Sequence, residues 1–141
     1  MQHTNPDGAV VNVRLGNRVR LGNRVRLGHY VTLGHDVTLG DGVTLGHDVT
    51  LGNRVTLGDG VTLGNGVRLG EGVTLGDVFC AGRDSRGYEF LAGHDQNRDE
   101  FRIFAGCHDF SVDEARAHWR DNPEALRKVE YLVVEREAVT Q

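Results

Sequence analysis

Two sets of side chains that could do chemistry recur in this 141-residue chain at an interval of eighteen. Asp41, Asp59 and Asp77 form one set; His29 and His47 form the other, with His35 standing apart. Carboxylates held in a row repel one another, which makes the aspartates candidates for a hard cation such as calcium. The plainer alternative is that Asp suits a turn and water screens the charge. A third group lies late in the chain, where Cys107, His108 and Asp109 are adjacent and His94 and Asp95 are candidate partners for a metal or Cys–His site. His118 reads as a surface residue.

The eighteen-residue interval follows from a shorter one. From Leu15 to Leu75 a Leu-Gly pair recurs every six residues, with Val four places after each Leu until Phe79 takes that place. Val, Thr and Leu in succession give the two-residue alternation of a short strand with one buried face. Gly and the two variable residues must then turn the chain. The first variable residue is Asn, His, Asp or Glu in every unit from Leu15 onward, and Asn, Asp and His are the non-glycine residues that best tolerate a left-handed backbone. Each unit is a strand plus a corner, and three units close an eighteen-residue triangular coil. Residues 9–80 make four coils, with Leu and Val inward and Ala9 and Phe79 closing the two ends.

Stacked coils turn the sequence into columns about 4.8 Å apart. The column Arg18, Asp36, Arg54 and Gly72 alternates in charge, an arrangement that stabilises neighbouring strands. Asn23 heads the aspartate column, and His29 and His47 stack above Asn65 while His35 lies on another corner. Ranks of Thr, such as Thr38, Thr56 and Thr74, give flat uncharged faces suited to subunit packing. Arg14, Arg20 and Arg26 make the first coil basic on all three faces.

Units such as Leu33-Gly34-His35-Asp36-Val37-Thr38 resemble the hexapeptide-repeat family, whose pattern is an aliphatic residue, a small residue, two variable residues, a small or β-branched residue and one more. The resemblance implies an all-β left-handed parallel β-helix of four triangular coils and a homotrimer. That family includes acyltransferases, zinc-dependent γ-class carbonic anhydrases and non-catalytic scaffolds. Under the enzyme readings, His29, His35 and His47 are the candidate catalytic or zinc-binding residues at a subunit cleft, with acyl-CoA as the transferase's cofactor. Hexapeptide acyltransferases commonly interrupt their coils with a substrate-binding loop. No insertion breaks residues 9–80, and a general base without a pocket cannot orient a substrate.

Beyond residue 80 the period stops and the aromatic residues gather: Tyr88, Phe90, Phe101, Phe104, Phe110, Trp119 and Tyr131. Alternation at Tyr88, Phe90 and Ala92, and again at Phe101, Ile103 and Ala105, predicts a hairpin. Its turn near His94 and Asp95 would lie roughly 20 Å from Cys107 at the usual strand rise, which argues against a shared site. Ser111 and Glu114 form a capping box opening a helix. Asn122-Pro123 starts a second segment, whose tail from Val129 to Val134 reads as helix or strand. Residues 1–8 are thus an arm, 9–80 the repeat body and 81–141 a small α+β cap of a hairpin and one or two helices.

A net charge of -4, with seven arginines against seven acidic residues in 1–80 and nine basic against thirteen acidic residues in 81–141, argues against nucleic acid as a partner. No apolar run has the length of a membrane span, and the polar start lacks a signal-peptide core, so the expected compartment is the cytoplasm. Cys80 and Cys107 are expected to be buried thiols. The expectation for function is a non-catalytic structural or binding module, trimeric, without cofactor or metal, with its cap available to an unidentified protein partner.

Overall fold

The computed structural model describes residues 2–106 and 108–140, with side chains up to Arg136. After β1 (Gln2–Thr4) and β2 (Val10–Leu15), short strands recur with the six-residue period: β3 (Arg20–Leu21), β4 (Arg26–Leu27), β5 (Val31–Leu33), β6 (Thr38–Leu39), β7 (Thr44–Leu45), β8 (Thr50–Leu51), β9 (Thr56–Leu57), β10 (Thr62–Leu63), β11 (Arg68–Leu69) and β12 (Thr74–Leu75). From β2 to β9 each pairs in parallel with the strand eighteen residues on, as in Arg20 with Thr38 and Thr38 with Thr56. The result is a three-faced β-solenoid of about four turns.

The core follows the repeat. From Val25 to Leu75 every Leu and Val of the period is no more than 5% exposed. Both ends depart from the periodic expectation. Ala9 is exposed, and Val11 and Val13 of β2 begin the core instead. At the far end Val78 turns in against the coil core while half-buried Phe79 packs into the cap. The cause is β13 (Phe79–Arg83), which leaves the coil path to pair antiparallel with β14 (Glu89–Asp95).

β14 and β15 (Glu100–Ala105) form the expected hairpin, and both of its faces are covered. Leu91 and Phe104 close the end of the solenoid core. Phe90, Ala92, Phe101, Ile103 and Ala105 face Ala115, Trp119, Ala125, Val129 and Leu132 of the helical layer. A last strand, β16 (His108–Phe110), folds back along β15, so one sheet runs continuously from β3 through β6, β9, β12, β14 and β15 to β16.

The helix α1 (Val112–His118) opens with the Ser111–Glu114 capping box. α2 (Pro123–Thr140) takes up the Val129–Val134 stretch as helix, with the Asn122 side chain accepting the Ala125 N–H at its start. Its β-branched residues enter the helix because Val129, Leu132 and Val133 are buried against the hairpin, and burial outweighs a few tenths of a kcal/mol of intrinsic preference. Among the described residues, no helix is long and apolar enough to cross a membrane.

Candidate functional site

The corners hold most of the residues that could act chemically, and each of their two variable positions has a distinct task. The left-handed residue is the second one, not the first: Arg18, Arg24, Tyr30, Asp36, Asp48 and Arg54 have φ between 59° and 62°, and Gly42, Gly60, Gly66 and Gly72 fill the same place elsewhere. The first residue is selected as a hydrogen-bond acceptor. His35 Nδ1 accepts the backbone N–H of Asn17 at 2.7 Å, and His47 Nδ1 that of His29 at 2.7 Å. Asp41 Oδ1 accepts from Asn23 at 2.7 Å and Asp59 Oδ1 from Asp41 at 2.8 Å. Asn53 and Asn65 do the same for His35 and His47. Asn, Asp and His share an acceptor one bond beyond Cγ, and that atom reaches the preceding coil. The side-chain ladder thus satisfies corner N–H groups that the β-ladder cannot reach.

This ladder explains the invariant glycine ahead of it. A Cβ on Gly40 would lie 2.4 Å from Asp59 Oδ1 and 2.7 Å from the Asp59 nitrogen. Coils therefore approach closely only where no side chain intervenes.

For the sequence candidates the consequences differ by column. Asp41 and Asp59 each commit one oxygen to a backbone N–H, which offsets the repulsion within the column; Asp77 lies exposed at its end. His29 and His47 stack with ring centroids 5.4 Å apart and planes 11° from parallel. An accepting Nδ1 leaves the proton of His35 and of His47 on Nε2. Among the described residues, no group of three or more His, Cys, Asp or Glu side chains is placed to hold a metal ion. The charged column forms in part as expected: Arg18 pairs with Asp36 at 2.8 Å, whereas Arg54 pairs with Glu71.

In the cap, Asp95 and Asp109 are closer than the hairpin alone implies, because β16 returns alongside β15 and sets Asp109 opposite Phe104. Arg98 bridges them, 2.7 Å from Asp95 and 2.8 Å from Asp109. Arg102 adds bonds to Asp109 and Glu100, each at 2.8 Å. Asp95 is 1% exposed. Burial alone would raise its pKa, but the Thr74 and Asn97 N–H groups and Arg98 hold it below the usual carboxylate range. It thereby clamps the last coil to the hairpin turn. His94 pairs with Asp99 at 2.9 Å. These acids serve Arg and backbone donors, and sequence spacing had no sign of β16 to reveal it.

His108 lies among rings: Phe110 at 5.1 Å, His118 at 4.7 Å and Trp119 at 5.8 Å between centroids. Burial, reinforced by His118 and Arg86, lowers its pKa. His118 is exposed as expected, but Cys80 is exposed rather than buried, because β13 leaves the coil one residue earlier and turns alternate side chains outward. Partial desolvation and the Glu89 carboxylate raise its pKa, which disfavours the reactive thiolate. Cys107 lies outside the described residues.

The groove between the last coils and the cap, about 260 Å³, is lined by Asn65, Arg83, Tyr88, Glu89 and Phe104 among others. Arg83 donates to the Asn65 and Gly87 carbonyls at 2.8 and 2.9 Å and lies 3.7 Å from Glu89. The groove's cation is thus already engaged by backbone carbonyls and Glu89.

Residues 18–53 and 42–77 match the family model described as bacterial transferase hexapeptide (six repeats). No curated protein matches the chain, and no solved structure does. The matched residues coincide with the part of the solenoid in which Leu, Val and the corner acceptors keep strict phase. These repeats, and the β-solenoid of about four turns that they build, support placing the repeat body in the hexapeptide-repeat superfamily.

Proposed function

We infer that this chain is a non-catalytic structural or binding module, a rigid β-solenoid that assembles as a homotrimer and displays its cap. The observation that carries this reading is the use made of the corners. Candidate catalytic and metal-binding side chains there, His35, His47, Asp41 and Asp59, each bond a backbone N–H. No loop longer than a corner interrupts the strands from β2 to β12. The reading requires neither acyl-CoA nor zinc or calcium, and it places an interacting protein at the cap. The flat Thr ranks support subunit packing, which desolvates backbone and methyl groups without burying charge.

The family description favours a second reading, an acyltransferase acting between subunits through His29, His35 or His47. Thiol release from acetyl-CoA, followed with a panel of amine and hydroxyl acceptors, separates the two. The module reading predicts release no faster than in buffer. Turnover that disappears in His29→Ala, in a protein whose circular dichroism is unchanged, would replace it with the enzyme reading. Stoichiometric zinc by elemental analysis would point instead to a hydratase.

A further inference from the structure

The first coil exposes three strand edges, one per face, and the arm closes only two of them. β1 pairs antiparallel with β2, covering the first face. On the second, Asn5 imitates a strand: its Nδ2 donates to the Leu27 carbonyl at 2.9 Å and its Oδ1 accepts the Leu27 N–H at 2.8 Å. The third face ends at β3, which has β6 on one side and, among the described residues, no strand on the other. Beside it a hollow of about 300 Å³ is lined by Pro6, Leu21, Arg24 and Val25 among others, and Leu15, Val19 and Leu21 are only partly covered.

Charge around this edge is one-sided. Residues 1–33 hold five arginines and one aspartate, whereas residues 34–80 hold two arginines and six acidic residues. Arg14, Arg20, Arg24 and Arg26 are exposed, and no ion pair engages them among the described residues.

We propose that the open β3 edge is a docking site for an extended acidic polypeptide segment of a partner protein, which adds a strand beside Arg20–Leu21 and sets its carboxylates against Arg20 and Arg24. An unpaired edge supplies main-chain N–H and C=O groups that a strand satisfies, and a nucleic acid does not. The arginines supply charge selection, which speeds encounter and rejects basic segments. A second copy is disfavoured at this end, since two such ends meeting would repel. The site lies opposite the cap and is independent of whether the chain is an enzyme.

The test uses the full chain and fluorescently labelled peptides of about eight residues alternating Glu and Val, a length that spans one strand. Anisotropy should show saturable binding that weakens as salt rises. A peptide with Lys for Glu should not bind. One with Pro at every second Val, unable to complete the ladder, should bind about tenfold or more weakly. The surface variant Arg20→Glu/Arg24→Glu should lose binding by a similar factor while keeping its circular dichroism and oligomeric state. Absence of saturable binding would overturn the proposal. Equal binding of the Pro peptide, or of heparin in its place, would overturn it too by showing charge attraction without strand addition. Concentration-dependent self-association abolished by the same variant would assign the edge to a second copy and likewise refute it.

Discussion

Gly34 and Gly70 occupy the same corner two coils apart, in the same Leu-Gly context, yet replacement by Ala should affect them differently. A Cβ on Gly34 would lie 2.5 Å from Asn53 Oδ1, 2.7 Å from the Asn53 nitrogen and 2.8 Å from the Gly52 carbonyl carbon. Two of these contacts are backbone, so no rotamer change relieves them. The coils must separate, stretching the ladder in which Gly34 donates to Leu51 at 2.9 Å. Overpacking of this kind costs about 3 kcal/mol, and a domain of this size loses roughly 3 °C of melting temperature per kcal/mol. Gly34→Ala should therefore melt about 10 °C lower. At Gly70 no atom lies within 4 Å of the added Cβ, because no further coil covers that corner. Gly70→Ala should be neutral or stabilise by up to about 1 kcal/mol through lost unfolded-state entropy. Thermal melts by circular dichroism decide it. Equal destabilisation of the two variants would show that glycine serves its own backbone conformation, and would refute the account of coil approach.

Further outcomes follow from other contacts. Asn53→Ala should cost about 1 kcal/mol by removing the acceptor for the His35 N–H, while Asn53→Asp, which keeps Oδ1, should cost less; urea denaturation compares them. Tyr30→Gly should stabilise by about 1 kcal/mol, since Tyr30 holds φ at 62° and is 67% exposed, with little packing to lose. Asn5→Ala should leave the core intact and increase hydrogen exchange at the Leu27 amide, read by mass spectrometry or NMR. His108, whose folded pKa is lowered, stays neutral where the unfolded residue protonates. Stability should thus fall as pH drops below about 6.5. Because Trp119 is the sole tryptophan and packs edge-on to His108, its fluorescence follows the transition, and His108→Asn should flatten the slope between pH 7.5 and 5.

Sequence reading reached the solenoid because Leu and Val at a six-residue period leave few other shapes in which both are buried. It reached the hairpin and the α1 cap because those signals are local. It misassigned the left-handed corner residue, since Asn, Asp and His suit both a left-handed turn and an acceptor role. Only the stacked coil, with His35 Nδ1 on the Asn17 N–H, separates those two tasks. Asp95 and Asp109 stood out by type, but the Arg98 and Arg102 bridges that join them stayed hidden because β16 is three residues long and carries Asp109 back alongside β15 only through tertiary folding. Asn5 was similarly silent: it bonds Leu27, twenty-two residues away, and no periodicity marks an end.

Native mass spectrometry of gently purified protein tests the central claim most directly, because assembly and retained ligands appear in one spectrum. The account predicts a homotrimer at three times the chain mass with nothing bound. A trimer carrying zinc or a mass the size of coenzyme A would contradict the non-catalytic reading, and a monomer would contradict the assembly on which it stands.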